Sequence, residues 1–233
     1  MVAVMAALAA CSPAPEQPVA KPPLAVMTAL PLFWHDGGVG AKLTEDQRAP
    51  VIQRLAAAYS VTPLDLLTDV GLRPFTRLIL AQPRALAPAE LVALDEWVRV
   101  GGKLLIFADP MLDWPSPYGP GDRRRAPVMS LLDPLFEHWG LRLDLGQPGG
   151  ERSQSVTLAG SAATVQSAGR WHLLRGDCTI GEEGLRADCP VGKGQATLIA
   201  DADMLDLTLG ESENRDNGAA LLALLRDMES ESR

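Results

Sequence analysis

The chain has 233 residues, 47% hydrophobic and 21% charged, enough for one large core or two small ones. Its formal net charge of −8 speaks against a nucleic-acid partner, because phosphate contacts need a basic face. Otherwise that charge serves solubility.

Residues 1–10 are apolar, Cys11 follows, and Ser12 to Pro23 holds five prolines in twelve residues. Ten residues are too few for a bilayer-spanning helix, which takes roughly 20, but suit the apolar core of a signal peptide. Leu8, Ala9, Ala10 and Cys11 resemble a bacterial lipobox, although no Lys or Arg precedes the apolar run; the alternative is a buried N-terminal segment. The lipobox reading predicts cleavage before Cys11, a lipid on that cysteine, and a proline-rich tether over 12–23. It places a single α/β domain, residues 24–233, in the cell envelope facing the periplasm, at the inner or outer membrane.

The apolar run 24–34, "LAVMTALPLFW", predicts a first strand. Thr44 is a candidate N-cap for the helix that follows. "SVTPLDLL" suits a short edge strand, since Pro63 is poorly tolerated in a central one. The clearest unit follows: a strand over 76–81, a helix over 87–100 and a strand over 103–108. In the helix Leu91, Leu94, Trp97 and Val98 share one face, and Gly101 and Gly102 end it. Both strands are apolar without alternation, the pattern of a parallel sheet covered on both faces. A loop dense in Pro, Gly and aromatics precedes a helix and short strand in "SLLDPLFEHWGLRLDL". Short alternations from about 147 to 190 predict hairpins inserted beside the sheet. Another strand ends at "IADADML", and "NGAALLALLRDMES" predicts a closing helix.

Cys178 and Cys189 flank "TIGEEGLRAD", which reads as a hairpin. Cysteines across a hairpin can meet, and an oxidising compartment lets them bond. The alternative is two free thiols; a metal site would need further His or Cys nearby.

Several carboxylates follow strand ends: Asp36, Asp109 with Asp113, and Asp201 with Asp203 and Asp206. On one rim of a parallel sheet they could bind a ligand or a divalent cation; equally, they could cap turns. His35, His138 and His172 are scattered, and no nucleophile elbow accompanies them. Trp114, Tyr118, Arg123, Arg124 and Arg125 make the long loop a candidate binding surface. No Gly-rich phosphate loop or metal-ligand spacing is present, so no cofactor and no metal are expected.

The stretch "TRLILAQPRALAPAELVALDEWVRVGGKLLIFADPML" resembles the soluble domain of gliding-motility-type ABC transporter auxiliary proteins, described as GldG-like. "GKGQATLIADADMLDLTLGESENRDNGAALLALL" is similar to the same family's later strand, Asp-containing turn and closing helix, through Asp201, Asp203, Asp216 and Asn217. The resemblance implies a flavodoxin-like, class I glutamine amidotransferase-like three-layer sandwich. It also implies ABC permease and ATPase subunits as partners. In catalytic relatives the strand corresponding to 103–108 leads to a nucleophilic cysteine. Here Ala108 and Asp109 stand there, and Pro110 lacks the N–H an oxyanion hole could use. The expectation is therefore a non-catalytic, membrane-tethered accessory domain with Asp109 as a corner. Two alternatives remain: a metal-dependent hydrolase using Asp109, Asp201 and Asp203, and a periplasmic small-molecule or glycan binder using the long loop.

Overall fold

A computed structural model describes residues 20–34, 48–146, 153–207 and 217–230. Cys11, most of the proline-rich segment, His35, Asp36, Thr44 and Asp216 lie outside these residues.

The first half alternates strands and helices: β1 (Pro23–Thr28), α1 (Pro50–Ala58), β2 (Ser60–Pro63), α2 (Asp69–Leu72), β3 (Arg77–Ala81), α3 (Pro88–Arg99) and β4 (Lys103–Phe107). After the long loop come α4 (Asp133–His138), β5 (Leu141–Asp144), β6 (Ser153–Leu158), β7 (Ser161–Gln166) and β8 (Arg170–Leu173). β9 (Thr179–Gly181), β10 (Arg186–Val191), β11 (Gly194–Ile199) and α5 (Asn217–Ser230) complete the described elements. One seven-stranded sheet runs in the order β2-β1-β3-β4-β11-β10-β9. Its first five strands are parallel, and β10 and β9 add an antiparallel edge. β5–β8 and β6–β7 are separate antiparallel pairs. The protein is thus mixed α/β with a mostly parallel central sheet.

Leu104, Leu105, Ile106 and Phe107 of β4 are all fully buried, so both faces of the sheet are covered. Right-handed crossovers leaving β1 one way and β3 the other put α1 and α3 on opposite faces. α5 packs against α1, and α2 against α3.

The structure corrects several sequence expectations. The first strand stops at Thr28, not residue 34. Thr28 Oγ1 donates to the Ala81 carbonyl and accepts the Leu30 N–H, turning the chain, and Pro31 lacks a strand donor. The remaining apolar residues, Leu30, Leu32 and Phe33, fill the core as a turn. Pro23, assigned to the tether, already pairs with Ser60 in the sheet.

α1 starts at Pro50, with Pro in its first turn, as suits a residue without an N–H. In α3 the buried set is Glu90, Ala93, Leu94, Trp97 and Val98, while Leu91 is only half-buried. Glu90 is tolerated inside because it is fully engaged. It accepts the Ala87 and Leu67 N–H groups at 2.9 and 3.1 Å and pairs with Arg84 at 2.8 Å. The Arg84 hydrogen bonds hold its carboxyl down at about 2. Gly101 takes a left-handed φ of 123° and the Gly102 N–H returns to the Trp97 carbonyl, which closes α3 as a glycine C-cap does.

The β-rich excursion at 147–190 is only partly an insertion. β6 and β7 form a hairpin of their own, but β9 and β10 extend the central sheet. Between them Cys178 and Cys189 are joined by a disulfide, with Cα atoms 4.2 Å apart. They stand opposite each other one residue beyond the Asp188–Thr179 pair. Closing a loop of this length stabilises a fold by about 2–3 kcal/mol, chiefly through the unfolded chain. Urea unfolding with and without reductant should show a loss of that size, and a Cys178→Ser/Cys189→Ser double variant should be insensitive to reductant.

Candidate functional site: a buried carboxylate cluster

In the register of β4 and β11, Phe107 lies opposite Ile199. Two residues further along, the same register sets Asp109 beside Asp201. Both strands end in alanine then aspartate, so two carboxylates emerge side by side at the carboxyl edge of the sheet. A short 3₁₀ turn, Asp203–Leu205, brings in a third. Asp109, Asp201 and Asp203 are all buried, and each offers one oxygen within 4.8 Å of the others.

Backbone N–H groups solvate this cluster. Asp109 accepts from Met111 at 2.7 Å and Ala202 at 3.1 Å. Asp201 accepts from Gln166 at 2.5 Å and Met204 at 2.8 Å. Asp203 accepts from Asp113 at 2.8 Å, and the Asp113 carboxylate accepts from the Gln166 side-chain amide at 2.9 Å. The bonds do not offset the loss of water. Burial pushes the Asp109 carboxyl up to about 6 and Asp203 up to about 7, and it raises Asp201 as well, with the Asp109 charge adding to the effect. Carboxyls this close cannot all ionise freely, and the group holds protons towards neutral pH. In ionised form the three could hold a divalent cation, but both oxygens of Asp109 and of Asp201 and one oxygen of Asp203 are already turned to main-chain donors. The arrangement is that of a corner joining three segments.

Gln82 and Asn217 complete the corner. Gln82, with a left-handed φ of 40°, accepts the Asp109 N–H at 2.8 Å. It also donates to the carbonyls of Asp109 at 3.2 Å and Pro127 at 2.9 Å. Asn217 accepts the Thr164 N–H at 2.7 Å and donates to the Thr164 and Met204 carbonyls, both at 2.9 Å. Asp201 and Asn217 therefore cap the outer edge of β7 with side chains in place of a further strand. The sequence singled out Asp109, Asp201, Asp203 and Asn217; it missed Gln82 and Gln166, which carry no motif.

The long loop is less open than expected. Trp114 and Arg125 help line a nook of only about 10 Å³. The Arg124 guanidinium lies 4.0 Å from the Tyr118 ring centroid and pairs with Asp122 at 2.7 Å. Arg125 donates to the Tyr118 carbonyl at 3.2 Å, and Arg123 is exposed. Arg124 and Arg125 thus brace the loop itself. The histidines are dispersed: His138 lies 3.7 Å from Asp95 and His172 lies 3.4 Å from Asp144.

Residues 21–168 match the family described as an ABC-type uncharacterized transport system. The chain belongs to this family. Membership indicates an accessory component of an ABC-type transport system. The match takes in the first resembling stretch, β1 to β7 and Asp109; Asp201, Asp203 and Asn217 lie beyond it. No curated protein matches the chain.

Solved structures similar to this family member share its fold. Cytoplasmic protein STM1381 from Salmonella typhimurium LT2 superposes with a TM-score of 0.53 at 10% identity, over 88% of this chain and 98% of that one. The mmIFT52 N-terminal domain gives 0.51 at 14% identity, over 88% and 96%. A beta-galactosidase from Rahnella sp. R3 gives 0.51 at 14% identity, over 90% of this chain but only 32% of the galactosidase. Identities this low speak to fold alone.

The cluster makes stability depend on pH in a definite sense. Its folded-state carboxyls titrate above the unfolded value near 3.9, so the native state binds the extra protons. That contribution is complete below about 4 and is lost as pH rises through 6 and 7. Glu90, held at about 2, acts oppositely but only below about 4.5. Between pH 4.5 and 7.5, ΔG of unfolding should therefore fall. Asp203→Asn should flatten this slope and stabilise the protein at pH 8 by about 1–2 kcal/mol, after discounting for solvent screening; urea titrations across that range check both. Asn217→Ala leaves three buried main-chain groups unpaired and should cost about 2–4 kcal/mol, read by the same method.

Proposed function

We propose that this chain is a non-catalytic accessory domain, facing the periplasm and held at a membrane by a lipid on Cys11. There it binds the permease and ATPase subunits of its ABC-type system. The observation that carries the reading is the family match over 21–168, combined with the internal engagement of the one site where chemistry was expected. Asp109 stands at the carboxyl end of β4, where relatives with amidotransferase activity place their nucleophile, and its N–H, carbonyl and carboxylate all serve the corner. Pro110 offers no N–H for an oxyanion.

We also read the architecture as flavodoxin-like, in the manner of class I glutamine amidotransferases. The parallel strands β2-β1-β3-β4-β11 are, by order of appearance, 2-1-3-4-5, which is the flavodoxin-like order. No helix among the described residues is long and apolar enough to cross a membrane, and in this reading the lipid supplies attachment.

The test is a pull-down of C-terminally tagged, full-length protein from detergent-solubilised native membranes, followed by mass spectrometry. An ABC permease and ATPase should co-purify, and Cys11→Ser should abolish their recovery. Recovery of the wild-type protein alone would remove the reading.

A further inference from the structure

The sequence holds a single Asn–Gly pair, Asn217–Gly218. Glycine has no Cβ and is the least restricted of residues. In an open chain its backbone nitrogen therefore reaches the side-chain carbonyl carbon of the preceding asparagine readily. That attack is the first step of deamidation, and this fold keeps the two atoms from meeting.

Asn217 is the first residue of α5 and is only 2% exposed. Its Oδ1 accepts the Thr164 N–H, and its Nδ2 donates to the Thr164 and Met204 carbonyls. Turning the side-chain carbonyl carbon onto the Gly218 nitrogen breaks all three bonds, and helical backbone angles do not bring those atoms together. Two of the three bonds end on Thr164, in the middle of β7, so the hairpin has to leave first.

The hairpin is held mainly through that one strand. Ala163, Thr164 and Val165 of β7 are buried, and Asp201 takes the Gln166 N–H two residues further along. In β6, by contrast, Ser153, Gln154, Ser155 and Thr157 are exposed, and Leu158 is the buried residue. A small unit with few buried apolar contacts is the kind that opens locally while the remainder of a domain stays folded.

We propose that Asn217–Gly218 is a covalent modification site that the docked hairpin keeps closed. When β7 leaves Asn217, the Gly218 nitrogen bonds to the side-chain carbonyl carbon. The bond from that carbon to Nδ2 breaks, and ammonia departs with the proton of the attacking nitrogen. Water then adds across one of the two ring C–N bonds of the cyclic imide, leaving aspartate or isoaspartate at position 217. Neither product carries the donor that the Thr164 and Met204 carbonyls require, and a carboxylate set against two buried carbonyls is costly. Isoaspartate also lengthens the main chain at the start of α5. A reversible opening of the hairpin thereby becomes a permanent one. The inference does not depend on whether the chain serves a transporter.

The test is incubation of the full chain in mildly alkaline buffer, folded and in urea, with peptide mapping by mass spectrometry. Deamidation at Asn217 should run at least about tenfold slower in the folded chain, because it proceeds only through the open fraction. Val165→Ala removes a buried contact of β7 and should speed it several-fold while circular dichroism still reports a folded chain. If that variant does not fold, Leu158→Val takes its place. Hydrogen exchange on the modified chain, separated by its added charge, should show the Thr164 and Gln166 amides losing protection while those of β4 keep it. Equal rates in the folded and unfolded chain, or indifference to the loosened hairpin, overturn the proposal. Full protection of Thr164 in the modified chain overturns the permanent opening.

Discussion

The parallel register of β4 and β11 is the constraint on which most of this structure depends. By setting Phe107 opposite Ile199, it delivers two carboxylates to the same buried corner, where ionic groups are costly unless hydrogen-bonded. The chain reduces that cost, without cancelling it, through main-chain donors from three separate segments. Asp109 gathers the start of the long loop, Asp203 takes the Asp113 N–H, and Asp201 takes the Gln166 N–H at the end of β7. Acidic residues here act as connectors, and the loop and hairpin are placed by the same atoms that a catalytic reading would have claimed.

This bears on how an accessory role can arise in an α/β fold. The carboxyl end of the central strands is the usual location for ligands in open α/β sheets. In this chain that location holds protonatable groups turned inward, and Asp201 with Asn217 docks the β6–β7 hairpin there. The place where topology leads one to expect a ligand is thus taken up by the fold's own hydrogen bonds.

Much of the central sheet was legible in the sequence because its strands are apolar throughout and its helices carry plain start and stop residues. β3, α3, β4, β11 and α5 fall close to where periodicity put them, and the Cys178–Cys189 pair follows from a hairpin whose turn could be read. The first strand was overextended because apolar composition does not distinguish a buried strand from a buried turn; the hydroxyl of Thr28 makes that distinction. β9 and β10 were taken for an insertion because pairing partners are not encoded in local pattern. The sequence placed Asp109 and Asp201 on one rim of a parallel sheet; that they stand side by side, 92 residues apart in the chain, is decided by register, which local pattern does not carry. Gln82 and Gln166 act through amide geometry, which leaves no periodic trace.

The two ends of the seven-stranded sheet are unequal to its middle. At one end β2 has four residues and terminates at Pro63; at the other β9 has three, pinned beside a disulfide. Short, proline-ended or covalently fastened edges make poor templates for another chain. The central sheet is therefore protected against edge-to-edge aggregation, so copies of the domain can be crowded together without their sheets joining.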